Sequence, residues 1–253
     1  MSRRHRIASV YARIVRTYLS RGPSLLLLAV IVFVPLGFFD ALASELDPNS
    51  LDLGSGLRVA AVLAAVTAVT VTGLLGEVFY SGAVAISLTH PEGERPPTPL
   101  EIARRLNYAR LILVDIAYVA IVIVGLVAVI VPGVLVFVWF GLSGPVVELE
   151  DRTVRGALGR SFALVRNNFW LVFAVLIPIE IVGDSAGDGI AALVHDALGH
   201  TFLASWLAES FSNIFLTPLF AIAAVLLTVD LIAEKDGAGS LVEPSPAPAP
   251  SAA

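Results

Sequence analysis

The chain has 253 residues, of which 57% are hydrophobic and only 15% charged, with a mean hydropathy of +0.87. An ordinary soluble domain carries about 25% charged residues, so a soluble globular, fibrous or disordered protein is excluded and a polytopic membrane protein implied. The lack of cysteine removes disulfides, cysteine-ligated zinc or iron–sulfur centres and thiol catalysis, while the net charge of −5 hides a sorting of the two signs along the chain.

Residues 1–22 are basic, and Ile7, Val10, Tyr11, Ile14 and Tyr18 recur at helical spacing with arginines on the other faces. This predicts an amphipathic helix lying on the membrane surface. The membrane domain is expected over 23–236. Its first span, near 24–43, opens after Gly22-Pro23 and is too long for a cleaved signal peptide. An acidic loop with Glu45, Asp47 and Asp52 follows. The second apolar segment, about 57–88, would be near 48 Å long as one helix. It must therefore tilt, break near Gly73 and Gly76, or protrude.

Residues 89–110 are polar, with a short helical stretch whose apolar side is Ile102 and Leu106 and whose basic side is Arg104, Arg105 and Arg110. From Leu111 to Val147 the one charged residue is Asp115. That run suits two spans of about 18 residues, with Pro132-Gly133 as the turn between them. Residues 151–167 form another basic amphipathic segment. Span five is expected at 168–183, a polar stretch at 184–210 and span six at 211–233. The tail from 237 to 253 is rich in Pro, Ala and Ser and reads as disordered.

Fifteen of the sixteen basic residues fall on one side of this six-span plan, and Arg58 alone on the other. The positive-inside rule then predicts a multi-pass protein of the cell membrane with both termini in the cytoplasm. A short echo, Ala12-Arg13-Ile14-Val15-Arg16 and Phe162-Ala163-Leu164-Val165-Arg166, precedes spans one and five, each of which contains a proline.

Four acids lie inside predicted spans: Glu77, Asp115, Glu180 and Asp230. An ionised side chain at bilayer depth costs about 2.5–3.5 kcal/mol on insertion scales, so each needs a partner or a function. Asp115, Asp230 and Glu77 are placed near the arginine-rich side and Glu180 near the other. Ion pairing with Arg16, Arg104, Arg105, Arg160 and Arg166 is expected for Asp115, Glu150 and Asp230. An ion or solute pathway is the alternative.

Other signals carry less. Gly141-Leu142-Ser143-Gly144 is similar to an intramembrane protease motif, but His5, His90, His195 and His200 all lie outside the spans, and a serine nucleophile needs a base in hydrogen-bond reach. His195 and His200, near Asp184, Asp188 and Asp196, would sit about 140° apart on one helix and share no face. The chain has no phosphate-binding P-loop and no dinucleotide fingerprint.

One stretch has a family cadence. Pro132-Gly133 is followed by Pro145 and, five residues on, Glu150, and then by Ala157-Leu158-Gly159-Arg160-Ser161 leading into Asn168-Phe169-Trp170. Near the end comes Asp230-Leu231, then Glu234-Lys235-Asp236-Gly237. This resembles the membrane domain attached to some glycerophosphodiester phosphodiesterases, and its stand-alone six-helix relatives. The specific part is about 130–170. The family's catalysis resides in a separate barrel of about 250 residues, for which this chain has no room, so the resemblance implies a membrane domain and not an enzyme.

The expected fold is all-α, with six transmembrane helices and amphipathic helices on the cytoplasmic side. The expected role is a non-catalytic scaffold or lipid-handling domain in the bilayer, with no cofactor, no nucleic acid and room for a membrane-protein partner. The alternative is a small-solute transporter using the intramembrane acids. Glu77, Asp115, Pro132, Gly133, Pro145, Glu150, Arg160, Ser161 and Asp230 are the structural or pathway candidates.

Overall fold

The computed structural model describes residues 3–44, 76–90, 97–128 and 130–237. They form an all-α polytopic membrane fold, with no strand among the described residues. The helices are α1 (Arg3–Ser44), α2 (Glu77–Leu88), α3 (Pro99–Arg105), α4 (Tyr108–Ala128), α5 (Ile130–Phe140), α6 (Ser143–Glu150), α7 (Val154–Val165), α8 (Phe169–Leu198) and α9 (Phe202–Asp236). In lipid every backbone N–H and C=O needs an internal partner, and helices supply one within each segment. Five stretches among the described residues are long and apolar enough to cross a bilayer: in α1, in α4, over Val131–Glu150, in α8 and in α9. The second predicted span falls within the described residues only over 76–88. The acidic loop, Arg58 and the tail from Ala238 lie outside them.

Helix α9 is the hub. Ala221 to Val229 are all buried, with α1, α2 and α8 against them. Helix α1 runs antiparallel to α9 along its whole length, as four contacts show: Arg6 to Glu234, Arg13 to Asp230, Tyr18 to the Phe215 carbonyl and Trp206 to the Val34 carbonyl. The separate surface helix expected over 1–22 is therefore a correction: it is the first half of α1, which continues through Pro23 and Pro35. Its apolar stripe, Val10, Ile14, Leu25 and Leu28, is buried in the protein rather than laid on lipid. The stripe found a partner because α9 reaches equally far.

Prolines inside helices remove a donor and free the carbonyl four residues back. For Pro178 in α8 that carbonyl is Ala174, and the Tyr11 hydroxyl donates to it at 3.0 Å and to Val175 at 3.2 Å. For Pro218 in α9 the Tyr18 hydroxyl reaches the Phe215 carbonyl, one residue along from the freed one, at 3.0 Å. Two tyrosines seven apart on α1 thus serve the loosened turns of two neighbours.

Helices α4 and α5 are an antiparallel pair. A Cβ placed on Gly125 would stand 2.9 Å from the Gly133 Cα, whereas eight residues of one helix span about 12 Å. Helix α4 runs to Ala128 and α5 begins at Ile130, so Pro132-Gly133 lies inside α5 and not at the turn where it was expected. Pro132 occupies the first turn of α5, where its missing N–H costs nothing, and Gly133 lets the arms meet.

The short amphipathic helices follow the sequence reading. Thr98 and Glu101 form a reciprocal capping box at the start of α3, and Ile102 and Leu106 are buried while Arg104 and Arg105 are exposed. Thr153 caps α7, which buries Ala157, Ser161, Leu164 and Val165. The echo noted above diverges in form, since the first copy runs unbroken into its span and the second ends at Arg166 before α8 begins. The polar stretch 184–210 is not a loop but the second half of α8, a turn at Gly199 and the first turns of α9.

Candidate functional site

Positive and negative side chains meet at one end of the bundle. Glu150, the last residue of α6, is 2.8 Å from Arg160 of α7 and 2.9 Å from Arg152. Arg160 also reaches Asp236 of α9 at 2.5 Å. One guanidinium therefore ties three helices, with its planar fork turned to two carboxylates. Burial alone would pull the Arg160 pKa down, but the hydrogen bonds and charges of Glu150 and Asp236 outweigh it and raise it. Asp230 receives both oxygens' contacts from Arg13, at 2.7 and 3.0 Å. Arg110 of α4 pairs with Asp151. The partner set differs from the one expected, because Arg13 points inward from α1, while Arg16, Arg104, Arg105 and Arg166 are exposed. Ser161 donates to the Trp139 carbonyl at 2.7 Å, tying α7 to α5, and Pro145 is buried in the first turn of α6.

Asp115 corrects the expectation of a pairing with arginine. It is 2% exposed, and its Oδ2 accepts the Gly76 N–H at 2.7 Å, with the N–H groups of Val78 and Phe79 also facing the carboxylate. It is a cap supplied from another helix. Helix α2 begins inside the protein at Gly76, whose φ of 99° is open to glycine and costly for other residues. The first N–H groups of any helix have no partner of their own, and here a negative group at the positive helix end supplies one.

Glu77 also departs from its expected place. Arg21 meets the far end of α2 at the Ser87 carbonyl, and ten residues of helix put Glu77 about 15 Å away from that point. There it stands with Glu180 of α8 in the wall of one cavity. Glu77 is 8% exposed, and its Oε2 is buried with no hydrogen-bond donor among the described residues.

The pair lines a cavity of about 670 Å³, within the 300–1,000 Å³ of small-molecule sites. Helix α8 supplies Glu180, Asp184 and Asp188, and α9 supplies Glu209, Asn213 and Thr217. The apolar wall is Val122 and Leu126 of α4, Phe137 of α5, Ile177 of α8 and Phe220 of α9, with Gly133 near the start of α5. Among the described residues that line it there is no arginine, lysine or histidine. Among the described residues no three histidine or acidic groups are placed to hold a metal ion. The arrangement favours a positive charge attached to an apolar body.

Sequence reading picked out Glu77 and Glu180 here but assigned neither to a shared site. It missed the stripe itself: Glu180, Asp184 and Asp188 are four apart on α8, and Glu209, Asn213 and Thr217 four apart on α9. That spacing places each trio on one helix face and was the available signal.

Two other motifs resolve plainly. Ser143 is fully buried, and among the described residues its Oγ has no hydrogen-bond partner, histidine or other. His195 and His200 were expected to share no face, yet their rings stack with centroids 4.7 Å apart, because α8 ends at Leu198 and the chain turns at Gly199.

No protein-family model, curated protein or solved structure matches this chain.

Proposed function

We propose that this multi-pass membrane protein takes up a small organic cation in the acidic cavity and conducts it across the cell membrane. The observation that carries the reading is the cavity wall: Glu180, Asp184 and Asp188 follow one another along α8 beside the buried Glu77, with no basic side chain among the described lining residues. Inside a bundle, ionisable groups mark pathways and binding sites by default. The arginine-rich end, by the positive-inside rule, faces the cytoplasm, so the cavity opens toward the opposite side. The role is non-catalytic. The residues behind the phosphodiesterase-domain resemblance mostly build the ion-paired end, with Glu150, Arg160 and Ser161 there, and leave the cavity free for a solute.

The test is uptake into proteoliposomes of benzyltrimethylammonium, a permanently charged cation with one aromatic ring. Accumulation is expected, with loss in the Glu77→Gln/Glu180→Gln double variant, which removes both buried charges while keeping shape. No binding and no uptake, with a membrane-protein partner or ordered lipid held through purification, would return the chain to the scaffold or lipid-handling reading.

A further inference from the structure

We propose that the corner between α3 and α4 holds one anionic phospholipid, its phosphate on Arg104 and Arg105 and an acyl chain along the outer face of α4. This goes beyond the cavity reading and does not depend on it.

The corner is built by the end of α3 and the start of α4. Helix α3 stops at Leu106, whose backbone is extended (φ −62°, ψ 135°), so α3 is not a continuation of α4. The Asn107 N–H donates to the Glu148 carboxylate of α6 at 3.1 Å, and Arg110 pairs with Asp151. These two ties seat the corner at the arginine-rich end. Ile102 and Leu106 fill its inner side, while Leu100, Arg104 and Arg105 are left on the outside.

The pattern of exposure is not that of a water-facing helix. Leu100 is 62% exposed, and the exposed Arg104 follows four residues on, on the same face. Apolar and basic side chains next to one another suit the boundary between headgroups and acyl chains. Tyr108 opens the α4 span, exposed, with its ring 6.0 Å from that of Phe79. Tyrosine favours that same boundary, ring inward and hydroxyl among the headgroups. Beyond it Ile112, Leu113 and Ile116 are exposed. From Tyr108 to Ile116 the helix rises about 12 Å, close to the roughly 15 Å of hydrocarbon in one leaflet. In a bilayer this face is covered by lipid chains.

Charge decides which lipid. Arg110 is committed to Asp151, and Glu101 gives one carboxylate oxygen to the Thr98 N–H. Among the described residues neither Arg104 nor Arg105 has a carboxylate within salt-bridge distance. Two guanidinium groups beside the one carboxylate of Glu101 leave the corner positive. Their planar forks match phosphate oxygens. A zwitterionic headgroup brings its own cation to the phosphate, whereas a singly anionic one leaves that place to the arginines. Free phosphate would leave Leu100 and the α4 face uncovered, so the source is the bilayer.

The experiment mixes the purified full chain in detergent with equal amounts of phosphatidylglycerol and phosphatidylcholine bearing the same acyl chains. Native mass spectrometry then counts the lipid retained. One phosphatidylglycerol per chain is expected in preference. Arg104→Gln/Arg105→Gln should weaken its binding about thirtyfold, about fivefold for each arginine removed. Both residues are exposed and glutamine has a similar helix propensity, so the fold is kept. Arg4→Gln/Arg155→Gln removes the same charge from exposed positions on α1 and α7 and should leave the lipid in place. Equal retention of the two lipids by the unaltered chain would overturn the proposal. Equal losses in the two double variants would reduce it to the attraction of a basic surface and sink the site. Displacement by inorganic phosphate at the same concentration would make the corner a phosphate site and refute the assignment to lipid. None of these outcomes bears on cation uptake through the cavity.

Discussion

At the basic end Glu150, Asp230, Glu234 and Asp236 each touch an arginine, while Glu77 and Glu180 share the wall of a cavity with no basic side chain among its described lining residues. Both sets are carboxyl groups on largely apolar helices, and both would be expensive alone. The first set is neutralised by side chains that never leave, and the helices they join are thereby fixed. The second has no such permanent partner among the described lining residues, and in our proposal a visiting cation supplies the charge. The same residue type thus serves as mortar where a permanent countercharge is near and as a site where none is. The contrast yields three measurements, taken from the largest expected effect down.

Arg160→Ala should be the most damaging change. The Arg160 and Glu150 side chains are each only 14% exposed, and Arg160 also holds Asp236. Removing one member of a buried pair typically costs about 3–5 kcal/mol because the other is left uncompensated, and residual exposure puts this case near 3 kcal/mol. Glu180→Gln should move the opposite way or not at all, since it removes a desolvated charge and keeps a hydrogen-bonding amide. Denaturation in detergent checks both. If Glu180→Gln destabilises as much as Arg160→Ala, the cavity acids are mortar too and the contrast fails.

Asp115 stands between the two regions, a fixed carboxyl whose partner is a helix terminus. Asp115→Ala strips the Gly76 N–H of its acceptor and should cost about 1–2 kcal/mol, the range of a lost N-cap. Asp115→Asn keeps one carbonyl oxygen and should cost less. Equal losses in the two variants would mean that the negative charge, and not the hydrogen bond, is what α2 needs. This helix start was not readable in the sequence. The apolar run through 57–88 gave a span, and Gly76 was one of several places it could break, but nothing local says that a residue 39 positions away will cap it.

More generally, features within one helix were legible and features between helices were not. The all-α membrane class, the amphipathic faces of α3 and α7 and the pairing of α4 with α5 follow from periodicity and composition. That Arg13 and not Arg16 faces Asp230 depends on how α1 is rotated against α9, which the helical repeat of α1 alone leaves open. Likewise the histidines at 195 and 200 looked separate because one helix was assumed, and Gly199 ends it. The cavity's polar trios were written in plain helical spacing, but an acid in an apolar segment reads equally well as half of an ion pair until its neighbours are placed.

The smallest effect concerns Arg13 and Asp230. Arg13 holds Asp230 through one guanidinium nitrogen, at 2.7 and 3.0 Å from the two carboxylate oxygens, whereas Arg160 meets Glu150 with both Nε and Nη2. The Arg13 and Asp230 side chains also remain 33% and 26% exposed, so water screens the attraction and solvates either group when its partner is gone. Exposed pairs contribute about 0.2–1 kcal/mol, and this one should fall within that range. The measurement is a double-mutant cycle with Arg13→Ala, Asp230→Ala and both together, which removes the separate packing effects of each truncation. The coupling should be well below that of Arg160 with Glu150, measured the same way. A coupling equal to or larger than that pair's would mean that burial does not set the strength of the ties at the basic end. Position in the bundle would then no longer explain why some acids here act as fixed ties and others line a cavity.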